Sequence, residues 1–137
     1  MSNVLSVTAA LNNARLLATR DRIDASTLNG YIEFYSAARP GTTGSGTYTA
    51  AAKITLAKPC GTINLGVLEL EALTPGGEMI TNTVTVLWAR VFDGDGTPLA
   101  DGDVTDDSGD GAFQLAGTSG TALFAGGYLL LSTTAIG

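Results

Sequence analysis

The sequence predicts a mainly β protein: an N-terminal α-helix followed by an antiparallel, jelly-roll-like β-sandwich of seven or eight strands. Three observations predict it. Only residues 6–27 have the composition and spacing of a helix. From Gly30 onward the apolar period shortens from about 3.6 to 2. Clusters of Gly, Pro and Asp then break the chain about every 8 to 12 residues, a spacing of sandwich and barrel strands rather than of βαβ units. The 137 residues suit a single domain and can bury roughly two-thirds of their unfolded surface. Residues 1–28 are read as an arm and helix packed on a sandwich of residues 29–137.

The helix is built from Ala, Leu and Arg, all good helix formers, and Ser6 or Thr8 stands where a cap is needed. Val7, Leu11, Ala14 and Ala18 share one stripe. It is narrow and Ala-rich, suited to close approach to a sheet or a neighbouring subunit, so Leu11, Ala14 and Ala18 are candidate core or interface residues. Asn29 and Gly30 then supply the turn that ends the segment. Strands follow at 31–37, 50–57, 62–73, 80–92, 97–104, 111–117 and 127–136, with a Pro/Gly/Thr/Ser-rich loop at 38–48. The 80–92 segment is the most regular: Val84, Val86, Trp88 and Arg90 fall on one face. Trp88 and Phe92 are candidate core or interface aromatics, although exposed they would offer a sugar or base a stacking surface, as would Tyr31 and Tyr35.

Charge excludes several functions. The net charge is −6, and after Arg90 come seven acidic residues and no basic one, the opposite of a phosphate-binding surface. Arg15, Arg20 and Arg22 form the one basic cluster; they either compensate the helix dipole or contact a partner. The chain has no histidine, which removes histidine triads and histidine acid–base schemes. Glu69 and Glu71 alternate on one strand and read as a solvent face. Cys60 is the only cysteine, so neither an internal disulfide nor a multi-cysteine zinc site is possible. No segment has the about 18 to 20 continuous apolar residues of a membrane span, and the first residues lack the charged and then apolar pattern expected of a signal peptide. The expectation is a non-enzymatic protein made in the cytoplasm, with no nucleic-acid or membrane partner and no catalytic, cofactor-binding or metal-binding residue.

The seven aspartates of residues 93–110 test that expectation. Read as a calcium loop from Asp93, the stretch puts Pro98 where glycine is required and Val104 where a bidentate Glu is required. A looser cation site between turns, at Asp93, Asp95, Asp101 and Asp103, is the weaker alternative to turn chemistry, in which Asp next to Gly after a strand bonds its own backbone two residues on.

Two segments resemble a family of small proteins encoded by tailed bacteriophages and prophages. The first carries R-x-x-x-x-R-D-x-I-D, here Arg15, Arg20, Asp21, Ile23 and Asp24, and a following strand ends in Arg39 and Pro40. The second carries W-A-R-x-x-D-x-x-G-T, here Trp88, Ala89, Arg90, Asp93, Gly96 and Thr97. The resemblance implies a virion structural protein without catalytic motifs. A short, weakly charged β domain fits a capsid decoration or cement protein, with the major capsid protein and further copies of itself, as dimer or trimer, for partners. A tail or neck accessory protein and a carbohydrate-binding module are the alternatives.

Overall fold

The structure, a computed structural model, describes residues 5–118 and 120–137. Thr8 caps the helix: its side-chain oxygen accepts the Leu11 N–H at 3.2 Å, which satisfies one of the donors left free in the first turn. Helix α1 runs Ala9–Ile23 and ends at Asp24, whose N–H bonds the Arg20 carbonyl. Seven strands then form the wall: β1 (Tyr31–Tyr35), β2 (Ala52–Asn64), β3 (Val67–Ala72), β6 (Trp88–Phe92), β7 (Pro98–Asp106), β8 (Phe113–Ala116) and β10 (Tyr128–Ile136). Three short strands complete the set: β4 (Glu78–Met79), β5 (Val84–Thr85) and β9 (Ala122–Leu123).

The strands pair in the order β3-β2-β1-β6-β7-β8-β10, and β3 pairs again with β10. The sheet therefore closes on itself. This is a seven-stranded barrel with β4 attached to β10 and a β5–β9 ribbon beside it, and it replaces the expected two-sheet jelly-roll sandwich. Closure pairs most of the edge that a sandwich must protect, although β10 and β3 meet only at Ala135–Glu69 and Ile136–Leu68. Pairing is antiparallel except at β7–β8, where Val104 to Asp106 run parallel to Phe113 to Leu115; the chain turns back through residues 107–112 to reach that register.

The alternation expected from the sequence places one side chain in two inside. Ile32 and Phe34 of β1, Ile54 and Leu56 of β2, Leu68 and Leu70 of β3, Ala89 and Val91 of β6 and Phe113 and Leu115 of β8 belong to one buried cluster. Two expected strands have different limits. The break expected between 57 and 62 is absent, because β2 continues through it and turns at Leu65 and Gly66, both with positive φ (51° and 82°), the geometry of a tight two-residue hairpin. The single strand expected at 80–92 is divided, because the chain changes partners: β5 pairs with β9 and β6 with β1 and β7.

Helix α1 lies across one end of the barrel. It contributes Leu16 (3% exposed) and Ile23 (1%) to the core, each worth about 1.5 to 3 kcal/mol when fully buried. Asn12 fixes its other half by donating to the Gly66 carbonyl at the β2–β3 turn, 3.1 Å away.

Candidate functional site

The expected apolar stripe of α1 exists, but it faces away from the barrel. Leu11 is 51% exposed, Ala14 and Ala18 are exposed, and Val7 is exposed one turn earlier. Leu16 and Ile23, seven residues apart, occupy the inward face instead. Of the two readings, core or interface, the exposure of Leu11, Ala14 and Ala18 removes the core one in the single chain. Ala18 also borders an open apolar groove of about 430 Å³ between the helix flank and the barrel mouth, floored by Ile23, Val91, Leu99 and Ile136.

The three arginines of the helix separate. Arg15 is exposed and Arg20 half-buried. Arg22 reaches the turn between β6 and β7 and pairs with Asp93 at 2.6 Å. The Asp93 carboxylate is buried and also accepts the Asp95 and Thr97 N–H groups at 3.0 and 2.9 Å. Here the Asp–Gly stretch is turn chemistry with a tether: one oxygen builds the turn and the other anchors the helix end. Gly94 is required because a Cβ there would lie 2.1 Å from the Leu28 carbonyl oxygen, and Gly96 takes φ +86°. Asp106 repeats the device, accepting the Ser108 and Gly120 N–H groups at 3.0 and 2.7 Å. Among the described residues no group of three His, Cys, Asp or Glu side chains is placed to hold a metal ion.

Trp88, Arg90 and Tyr35 point out of the barrel and are nevertheless buried, because residues 36–51 fold over them as a clasp. The indole of Trp88 donates to the Ala37 carbonyl at 2.9 Å and packs between Tyr35 and Tyr48, with ring centroids 4.5 and 5.1 Å away. Arg90 uses all three guanidinium nitrogens. Nε meets Asp101 Oδ1 at 2.6 Å, Nη2 meets Asp101 Oδ2 at 3.0 Å and the Ser45 carbonyl at 2.7 Å, and Nη1 meets the Gly46 carbonyl at 3.0 Å. Asp101 also accepts the Gly44 N–H at 3.0 Å, and Arg39 pairs with Asp103 at 3.0 Å. Trp88 and Tyr35 have no exposed face for a sugar. Phe92 is half-buried and stacks on Tyr31 at 4.9 Å. Cys60 is sealed in the core; burial, then the nearby Asp24 carboxylate, push its thiol up to about 12, which makes it unreactive.

The clasp partners Asp101 and Arg39 escape the sequence reading, although a signal exists. A tight β6–β7 hairpin sets Arg90 directly opposite Asp101, and such cross-strand pairs share a face.

The clasp and the helix tether make stability depend on pH. Arg22 holds the Asp93 carboxyl below the usual carboxylate range, helped by the Thr97 and Asp95 N–H groups and opposed by burial. At Asp101 burial pushes upward, but Arg90, the Gly44 N–H and Arg39 together outweigh it, and its carboxyl is also lowered. Both groups are more acidic folded than unfolded. Their stabilisation is complete above the ordinary Asp value of about 3.9 and is lost as pH falls through the lower folded values. The melting temperature is expected to fall steeply below about pH 4, with a smaller fall in Asp93→Asn; an unchanged melt down to about pH 2 would contradict these ion pairs.

In comparisons with family models, with curated proteins and with solved structures, nothing matches the chain.

Proposed function

We propose that the chain is a structural protein of a tailed-bacteriophage particle: a decoration or cement protein that binds the head shell through the outer face of α1. One observation carries this reading. Of its apolar side chains the helix buries Leu16 and Ile23 against the barrel; Leu11, Ala14 and Ala18, with Val7 just before the cap and Arg15 beside them, are exposed. An apolar stripe the fold does not use, edged by polar groups, is characteristic of a contact surface. Its small residues permit close helix approach, consistent with dimers or trimers of the protein on the particle. The closed wall and doubly tethered loops suit a load-bearing role, and the two segments that resemble phage proteins supply the clasp and the tether.

The double substitution Leu11→Glu with Ala14→Glu tests the surface. Both positions are exposed, so stability is expected to change by no more than about 0.5 kcal/mol each. Attachment to purified heads, measured by co-sedimentation, is expected to be lost. Undiminished attachment by a folded double variant would reject α1 as the contact, and wild-type protein found in a few copies on tails alone would reject the head assignment.

A further inference from the structure

The barrel wall is incomplete where it closes. Strand β10 pairs with β3 only at Ala135–Glu69 and Ile136–Leu68, and with β4 only at Tyr128 and Leu129. Between these two short ladders, the edge of β10 from Leu130 to Thr134 has no strand partner on that side among the described residues, while β8 takes its other side. A cleft of about 440 Å³ lies along this open length, with Leu70, Leu129 and Leu131 in its lining and Glu69 and Glu71 along its β3 border. Thr134 also lines it; this residue is 4% exposed, yet its hydroxyl has no hydrogen-bond partner. Buried hydroxyls are normally paired, and among the described residues this one, in the cleft wall, has no partner.

We propose that the open seam is a docking groove for an extended, basic segment of a partner protein. The edge from Leu130 to Thr134, which carries a register shift between Leu131 and Thr133, accommodates a strand of about five residues at roughly 3.3 Å each. Such a segment bonds the free backbone groups of β10 by strand addition. Its alternate side chains rest on the leucines and beside the Thr134 hydroxyl. The intervening ones stand next to Glu69, which is exposed, and Glu71, which already accepts the Thr62 hydroxyl at 2.9 Å.

Charge selects the occupant. No Lys or Arg lines the cleft, so Lys or Arg at every second position of the incoming strand is complementary to the two glutamates. A second copy of this chain is a poor donor. Its extended arm at 5–8 carries no charge, Arg39 and Arg90 are bound within the clasp, and Lys53 and Lys58 lie on β2, which β1 and β3 flank.

The groove can be tested on the isolated full chain, which separates its failure from failure of the particle reading. The probe is the capped peptide Val-Lys-Val-Lys-Val, with Val-Glu-Val-Glu-Val and spermidine as controls, followed by titration calorimetry and by amide NMR shifts. The lysine peptide is expected to bind, to shift the amides of Leu130 to Thr134, and to weaken at least tenfold in the folded double variant Glu69→Lys with Glu71→Lys. No binding at millimolar peptide, equal binding of the glutamate peptide, or shifts confined to another surface would overturn the proposal. Spermidine binding as well as the peptide would reduce the groove to a general cation surface and overturn strand docking.

Discussion

Asp101→Ala is expected to lower stability by about 3 to 5 kcal/mol, because it leaves the Arg90 guanidinium buried without its counter-charge. Arg90 is 2% exposed and the Asp101 side chain is fully enclosed, so water cannot replace the lost carboxylate. The same change removes the acceptor of the Gly44 N–H. For a chain of this size the melting temperature should fall by about 10 to 20 °C. The damage should begin in the clasp, and Trp88, the only tryptophan, reports on it directly: its emission should move to longer wavelength before the barrel unfolds. Replacing both partners with apolar residues, Arg90→Met with Asp101→Leu, should cost less than the two single changes added, since a buried pair is expensive chiefly when only one partner remains. Additive losses would mean that the two groups do not act as a pair.

Trp88→Ala is expected to cost a similar amount, about 3 to 5 kcal/mol, the usual range for a large aromatic removed from a packed site. The indole contacts Tyr35, Tyr48 and the Ala37 carbonyl, and the Arg90 guanidinium sits 5.0 Å from its ring. It does not belong to the interior cluster that Ala89 and Val91 enter. Hydrogen exchange should therefore accelerate first in residues 36–51 and only later in β1 and β2. A melting temperature equal to that of the wild type would show that the ring packs nothing, and would revive the exposed binding platform that its burial argues against.

These two residues show how far the sequence could be read. Alternation placed Trp88 and Arg90 on one face of a strand, but Val84 and Val86, expected on the same face, pack with the interior cluster because the chain changes partners between β5 and β6; the Gly/Pro-rich loop after β1 was visible from composition. That the loop folds back and buries the outward face depends on the Asp101 and Arg90 bonds to Gly44, Ser45 and Gly46, contacts more than forty residues from Arg90 that leave no local pattern. The helix shows a second limit. Its cap was narrowed to Ser6 or Thr8 because capping is local, and it is Thr8, but the segment holds two apolar sets, Leu11 with Ala14 and Ala18, and Leu16 with Ile23. Periodicity says which residues share a face, not which face meets the barrel. Barrel closure was hidden for the same reason: it rests on Leu68 and Glu69 finding Ile136 and Ala135, and each strand taken alone would serve a sandwich equally well. The turn bonds of Asp93 and Asp106 were legible because they form within a few residues, whereas the pairing of Asp93 with Arg22 and of Asp101 with Arg90 was not.

The outward stripe of α1 is the centre of the functional reading, and imaging the particle tests it most directly. Electron cryomicroscopy of heads carrying the wild-type chain is expected to show the barrel in many regularly spaced copies, with Leu11, Ala14 and Ala18 against the shell and the acidic β7–β8 side toward solvent. Heads without this density, or barrels seated with α1 facing solvent, would contradict it.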